Sequence, residues 1–155
     1  MTLRPYPPAR AHQHLHQPTR SSRWPRTILL VEDEPFVREA THSILESAGF
    51  KVVSAGDADT AIKLYEASPR LIDLVMTDMV LPGRTGQQLC EELRHRCPDL
   101  KILLTSGYSS ADYSADAPKS HTYFLAKPYS RRGLVAKIEE MFRILPLGHA
   151  AGKVS

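Results

Sequence analysis

Residues 27–55 read TILLVEDEPFVREATHSILESAGFKVVSA, and this stretch decides the fold. Thr27–Val31 is a short run of β-branched and aliphatic residues, the composition of a buried strand, and Glu32-Asp33-Glu34-Pro35 breaks it. Apolar or small residues then recur at Val37, Ala40, Ile44, Leu45 and Ala48, the spacing of one helix face, and Gly49 stops the helix. Lys51–Ala55 reads as a second strand. Strand, helix and strand in immediate succession make one crossover unit of a parallel sheet, which is right-handed.

The same alternation continues downstream. Asp57 can cap a helix with Ala58, Ala61, Ile62 and Tyr65 on one face, and Leu71–Thr77 is a third strand. Pro82-Gly83 and Gly86 form a loop before a helix with Leu89, Cys90, Leu93 and Cys97 inward. Pro98-Asp99 turns into a fourth strand, Leu100–Leu104, and the polar stretch Ser109–Lys119 predicts a short helix. Thr122–Ala126 is a fifth strand. The last helix runs from a Ser130 cap through Leu134, Val135, Ile138, Met141 and Phe142, and Pro146 closes it. Five strands alternating with five helices predict an α/β fold, a doubly wound five-stranded parallel sheet with helices on both faces.

A chain of 155 residues fits one ordinary domain, and 42% hydrophobic with 24% charged residues excludes collagen-like, coiled-coil and wholly disordered classes. The longest aliphatic run, Ile28–Val31, is far too short to span a membrane. Cys90 and Cys97 sit on one predicted helix at a spacing of roughly 10 Å, too far to bridge, so a reducing cytoplasm is the expected setting. The net charge of +3 is uneven: residues 1–26 hold five arginines and no acid, leaving 15 basic against 17 acidic residues in the remainder. The basic character therefore belongs to a tail. That tail also carries five of the twelve prolines and the run His12-Gln13-His14-Leu15-His16, without apolar periodicity, so residues 1–26 are expected to be disordered. It has no apolar signal-peptide region. An organellar transit peptide or an overlong start would share its composition, and the histidines are more often solvated than metal-bound.

The strand ends gather the chemistry, because in open parallel sheets the functional cleft lies beyond the carboxyl ends of the strands. Glu32 and Asp33 follow strand one, Asp78 strand three, Thr105 and Ser106 strand four, and Lys127-Pro128 strand five. Polar residues follow strands in any solvated loop, but solvation does not explain three acids together. Like charges about 4 Å apart repel by on the order of 4 kcal/mol at an effective dielectric near 20. A bound cation removes that cost, and an all-oxygen donor set points to Mg²⁺. Asp78 can then serve as a nucleophilic carboxylate that accepts a phosphoryl group, with Lys127 and Thr105 taking phosphoryl oxygens.

Four motifs in order, Val31-Glu32-Asp33-Glu34-Pro35, Met76-Thr77-Asp78-Met79-Val80-Leu81-Pro82-Gly83 with Gly86, Leu104-Thr105-Ser106-Gly107-Tyr108 and Phe124-Leu125-Ala126-Lys127-Pro128, resemble a response-regulator receiver domain over about residues 27–145. The local phrasing is most similar to receivers attached to hybrid histidine kinases and their stand-alone relatives. The resemblance implies a flavodoxin-like strand order 2-1-3-4-5, with flexible tails at residues 1–26 and 146–155. It implies Asp78 as phosphoacceptor and Glu32, Asp33, Asp78 and the backbone carbonyl of Val80 as Mg²⁺ ligands, with Glu32 a variant of the usual aspartate. Thr105 becomes the switch hydroxyl, Phe124 an aromatic switch that is equally a core residue, and Lys127 the phosphate-pairing lysine before a cis bond to Pro128. Val80 and Gly107 stand where side chains help place the hydrolytic water; neither can hydrogen-bond through a side chain, which implies slow self-dephosphorylation.

The implied donor is a histidine kinase or a histidine phosphotransfer protein, and no output domain is recognisable after Phe142. Such a module acts by differential binding of a protein partner to its two states rather than by turnover. Two other readings compete. A nucleic-acid binder or constitutive scaffold using the arginine tail is disfavoured by the slightly acidic body and by a tail with only Tyr6 and Trp24 as aromatics. A metal-dependent phosphatase would carry a second aspartate two residues after its nucleophile, where this chain has Val80.

Overall fold

The computed structural model describes residues 25–107 and 121–143. Five strands, β1 (Thr27–Val31), β2 (Lys51–Ala55), β3 (Leu74–Asp78), β4 (Lys101–Ser106) and β5 (Thr122–Ala126), form one sheet in the order β2-β1-β3-β4-β5. Every neighbouring pair is parallel. The described helices are α1 (Pro35–Ser47), α2 (Ala58–Ala67), α3 (Gly86–Arg96) and α4 (Arg131–Arg143). The helix expected within Ser109–Lys119, the Pro146 stop and both expected tails lie outside the described residues, apart from Pro25 and Arg26.

Side chains alternate across a strand, so each strand feeds two cores. Leu29, Val31, Val75, Ile102 and Leu104 point to one face and pack with α2 and α3 through Ala61, Tyr65, Leu89 and Leu93. Ile28, Leu30, Leu74, Met76 and Leu103 point to the other, where Leu45 of α1 and Leu134, Ile138 and Met141 of α4 cover them. This is why β1 is buried at every position and why its sequence shows no polar alternation. Each fully buried leucine or isoleucine contributes about 1.5–3 kcal/mol, so the central strands anchor the sheet and hold its carboxyl edge in place.

Local signals set the helix ends. Asp57 caps α2, its carboxylate accepting from Thr60 N at 2.7 Å and Thr60 Oγ1 at 2.8 Å. Thr85 and Gln88 form a reciprocal capping box at the start of α3. Gly49 follows α1 with φ 95°, a left-handed conformation that a side chain would oppose. Ser130 Oγ accepts from Gly133 N at 3.0 Å at the start of α4, the expected cap.

Three local expectations are corrected. β3 begins at Leu74 rather than Leu71: Leu71 is half exposed, and Asp73 instead receives Thr27 N on its carboxylate at 2.8 Å. The buried stripe of α1 runs through Thr41 and Leu45, whereas Val37 and Ala40 face outward. The hydroxyl of Thr41 reads as polar, yet the residue is buried and lies 3.4 Å from the Tyr129 hydroxyl. Cys97 is only half-buried, because it ends α3 in an extended conformation instead of continuing the inward face.

Candidate functional site

The site is assembled at the carboxyl edge by four strands. On β1 the ladder continues one residue past the strand: Glu32 N donates to Ala55 O at 3.1 Å, and Glu32 is buried. The chain then turns, Glu34 N donating to Glu32 Oε1 at 3.2 Å, and Pro35 opens α1 without needing a donor of its own. Asp33, one residue on, is exposed. Asp78 closes β3 in register with Thr105 on β4. Its carboxylate is oriented by Val80 N, which donates to Oδ1 at 3.1 Å, while Met79 N reaches Thr105 O at 2.9 Å. On the far side Lys127 N donates to Ser106 O at 2.7 Å, carrying the β4–β5 ladder to the edge, and the Lys127-Pro128 bond is cis.

These tethers converge. Glu32, Asp33 and Asp78 each offer a carboxylate oxygen, all within 4.8 Å of one another. Lys127 Nζ bonds Asp78 Oδ2 at 2.6 Å and Glu32 Oε2 at 3.1 Å, so one ammonium bridges acids from two strands. Burial alone would push the Lys127 pKa down, but hydrogen bonds to Asp78 and Glu32 outweigh it and hold the ammonium above its ordinary value. Thr105 is buried, its hydroxyl donating a long bond of 3.4 Å to Thr77 O. Phe124 is partly buried and packs against the core under α2 and α3, opposite Leu104 on β4. Val80 is 64% exposed.

Two site features carry little sign in the sequence. Gly86 gives its N–H to Met79 O at 2.9 Å, and a Cβ there would lie 2.1 Å from Asp78 O. Only glycine lets α3 start so close to the backbone of Asp78. Arg38 on α1 donates through Nη1 to Glu32 O at 2.7 Å and approaches Asp33 O at 3.4 Å. The donor set fits a hard divalent cation: it is all oxygen, acidic in excess of its one ammonium, and partly open through Asp33.

Comparison with known proteins agrees with this geometry. The family model described as "Response regulator receiver domain" matches residues 28–139. The chain belongs to that family. This receiver is 35% identical over 116 residues to the sensor kinase CckA of Brucella abortus, covering 74% of this chain and 12% of the kinase. It is 32% identical over 117 residues to the sensory transduction protein RegX3 of Mycolicibacterium smegmatis, covering 76% of this chain and 50% of the relative. The receiver thus spans half or less of the length of these relatives. Among solved structures it resembles the response regulator TrrA from Thermotoga maritima, in complex with Mg²⁺-BeF, with TM-score 0.67, 26% identity and coverage of 76% of this chain and 99% of that one. A CheY-like receiver from Methanospirillum hungatei gives TM-score 0.66 and 28% identity over 76% of this chain and 93% of that one. The parallel sheet order and the phosphorelay receiver class follow. No helix among the described residues is long and apolar enough to cross a membrane.

Proposed function

We propose that residues 27–145 form a receiver unit, flanked by tails, that takes a phosphoryl group from a phosphohistidine donor onto Asp78. One observation carries the reading: a single ammonium, Lys127, bridges the carboxylates of Asp78 and Glu32 beside the third acid, Asp33. Glu32, Asp33, Asp78 and the Val80 carbonyl would hold Mg²⁺. When bound, the ion supplies positive charge that neutralises the acids and the transferring phosphoryl oxygens.

The residues divide the remaining work. Val80 N fixes one Asp78 oxygen at 3.1 Å and leaves the carboxylate aimed at the cleft. An Asp78 oxygen attacks phosphorus, the O–P bond forms, and the P–N bond to the donor imidazole breaks. The nitrogen keeps the electron pair and takes up a proton. Lys127 then exchanges its contact with the carboxylate for a phosphoryl oxygen. Thr105, register partner of Asp78, exchanges its long bond to Thr77 O for another, and Phe124, paired with the preceding residue Leu104, responds on β5. That exchange is the differential state a protein partner reads. It makes the receiver a phosphoacceptor rather than a turnover enzyme.

The donor is a histidine kinase or a histidine phosphotransfer protein. Phe36, 82% exposed on the first turn of α1 directly after the acids, and the exposed Val80 offer it apolar contact around the charged centre. The free thiols of Cys90 and Cys97 suit a cytoplasmic location. Incubation with acetyl phosphate and Mg²⁺, followed by intact-mass spectrometry, tests the assignment. Wild type gains one phosphoryl group and Asp78→Asn gains none; equal labelling of the two would overturn it.

A further inference from the structure

Glu34, at the N-cap of α1, makes no side-chain capping bond, and Pro35 begins the helix. Within the turn, Glu34 N donates to Glu32 Oε1 at 3.2 Å and Arg38 N to Glu34 O at 2.9 Å, and further holds come from β2 and from the Arg38 side chain. Glu32 N is held by Ala55 O at 3.1 Å, while the carbonyls of Glu32 and Asp33 face the Arg38 guanidinium at 2.7 and 3.4 Å. The same guanidinium lies against the β2–α2 turn: a Cβ on Gly56 would meet Arg38 Nη1 at 3.1 Å and its Cζ at 3.6 Å. Arg38 thus fastens the acidic turn to α1 and fills the space above Gly56, donating to backbone carbonyls rather than to the carboxylates.

We infer that Arg38 is a positioning residue for the cation site, setting Mg²⁺ affinity by pre-ordering the Glu32–Asp33 turn. The inference rests on the Mg²⁺ reading above. Without the guanidinium, two carbonyls lose a charged donor and Asp33, already exposed, must be ordered at the moment of binding. Outer-sphere partners of metal ligands commonly set affinity within about 10–100-fold. Electrostatics alone gives the opposite sign, since removing a positive charge beside the site favours a dication. The direction of the effect therefore separates positioning from charge.

The test is a Mg²⁺ titration of ¹⁵N-labelled wild type, Arg38→Ala, Arg38→Lys and Gly56→Ala, followed through the Glu32–Glu34 amide shifts at a temperature where circular dichroism shows each chain folded. Arg38→Ala is expected to weaken Mg²⁺ about tenfold. Arg38→Lys, keeping the charge but replacing the planar fork by a single ammonium, recovers part of the loss, and Gly56→Ala, crowding the guanidinium without removing it, shows a smaller loss. Acetyl-phosphate labelling by Arg38→Ala needs more Mg²⁺ for half-maximal rate but reaches the wild-type plateau. Unchanged or tighter Mg²⁺ binding in Arg38→Ala overturns the inference, as does a lowered plateau at unchanged half-saturation. If Arg38→Ala does not fold, the Gly56→Ala titration decides by the same signs. A wild type that ignores Mg²⁺ overturns the cation site itself, and the inference with it, which distinguishes the two failures.

Discussion

Replacing Lys127 by methionine keeps most of the stem and removes the charge that joins Asp78 to Glu32. Nζ lies 2.6 Å from Asp78 and 3.1 Å from Glu32. Even at the dielectric constant of water these attractions come to about 3 kcal/mol together. Three carboxylates within 4.8 Å of one another repel by about 0.9 kcal/mol a pair on the same scale, about 2.6 kcal/mol in all, so the ion-free pocket is nearly balanced. In Lys127→Met the repulsion stands alone. Relief of desolvating an ammonium that is only a quarter exposed returns part of it, leaving a net loss of about 2 kcal/mol. For a domain of this size that lowers Tm by about 8 °C. Mg²⁺ neutralises the same acids, so saturating Mg²⁺ should raise Tm further in the variant than in wild type and recover most of the deficit. Circular-dichroism melts in EDTA and in Mg²⁺ read both quantities. Equal Tm values in EDTA, or an equal Mg²⁺ increment in the two chains, would refute the balance of charges described here.

Asp57→Ala should cost about 1 kcal/mol through loss of the α2 cap, read by urea unfolding. Hydrogen bonds from Thr60 hold the Asp57 carboxyl below its ordinary 3.8, so the cap's contribution is full above that pH and fades as acid carries the pH through the lowered folded value; melts at pH 7 and in strong acid should show the variant's deficit shrinking. Burial pushes the Cys90 thiol up to about 12, so at pH 8 Ellman's reagent should modify Cys97 alone in the native chain and both thiols in denaturant. Fast labelling of Cys90 in native protein would contradict its burial. Val80→Asn or Gly107→Gln, each adding a hydrogen-bonding side chain near the phosphoacceptor, should shorten the phospho-Asp78 lifetime by about tenfold. Following loss of the phosphoryl group by mass spectrometry, with no partner present, checks this, and unchanged decay in both variants would remove the assigned role.

What could be read from sequence was what has a residue-type signature. Thr27–Val31 and Lys51–Ala55 were legible because strands buried on both faces are continuous apolar runs, and Glu32, Asp33, Asp78 and Lys127 because polar residues at strand ends mark the open edge of such a sheet. Leu71 and Ile72 misled for the same reason: they are apolar and precede a true strand, and nothing in their identity reveals that Asp73 ties the entry to Thr27 N. Thr41 misled in the opposite sense, a polar residue buried on the α1 stripe. Arg38 was illegible, because its partners are backbone carbonyls and every residue has one. Gly86 was visible as a loop glycine, but its approach to Asp78 O emerges only when α3 is placed on the sheet.

The bridge from Lys127 to two of the three carboxylates leaves the cluster with a surplus of two negative charges before any cation enters. The proposed phosphohistidine donor is itself an anion, so the acidic cleft would repel it without a dication and, close to neutral with Mg²⁺ bound, would not. On that proposal the ion would serve the encounter as well as the chemistry. Under the proposed transfer from a phosphohistidine donor, free Mg²⁺ concentration and ionic strength should then govern how often an encounter with that donor leads to transfer.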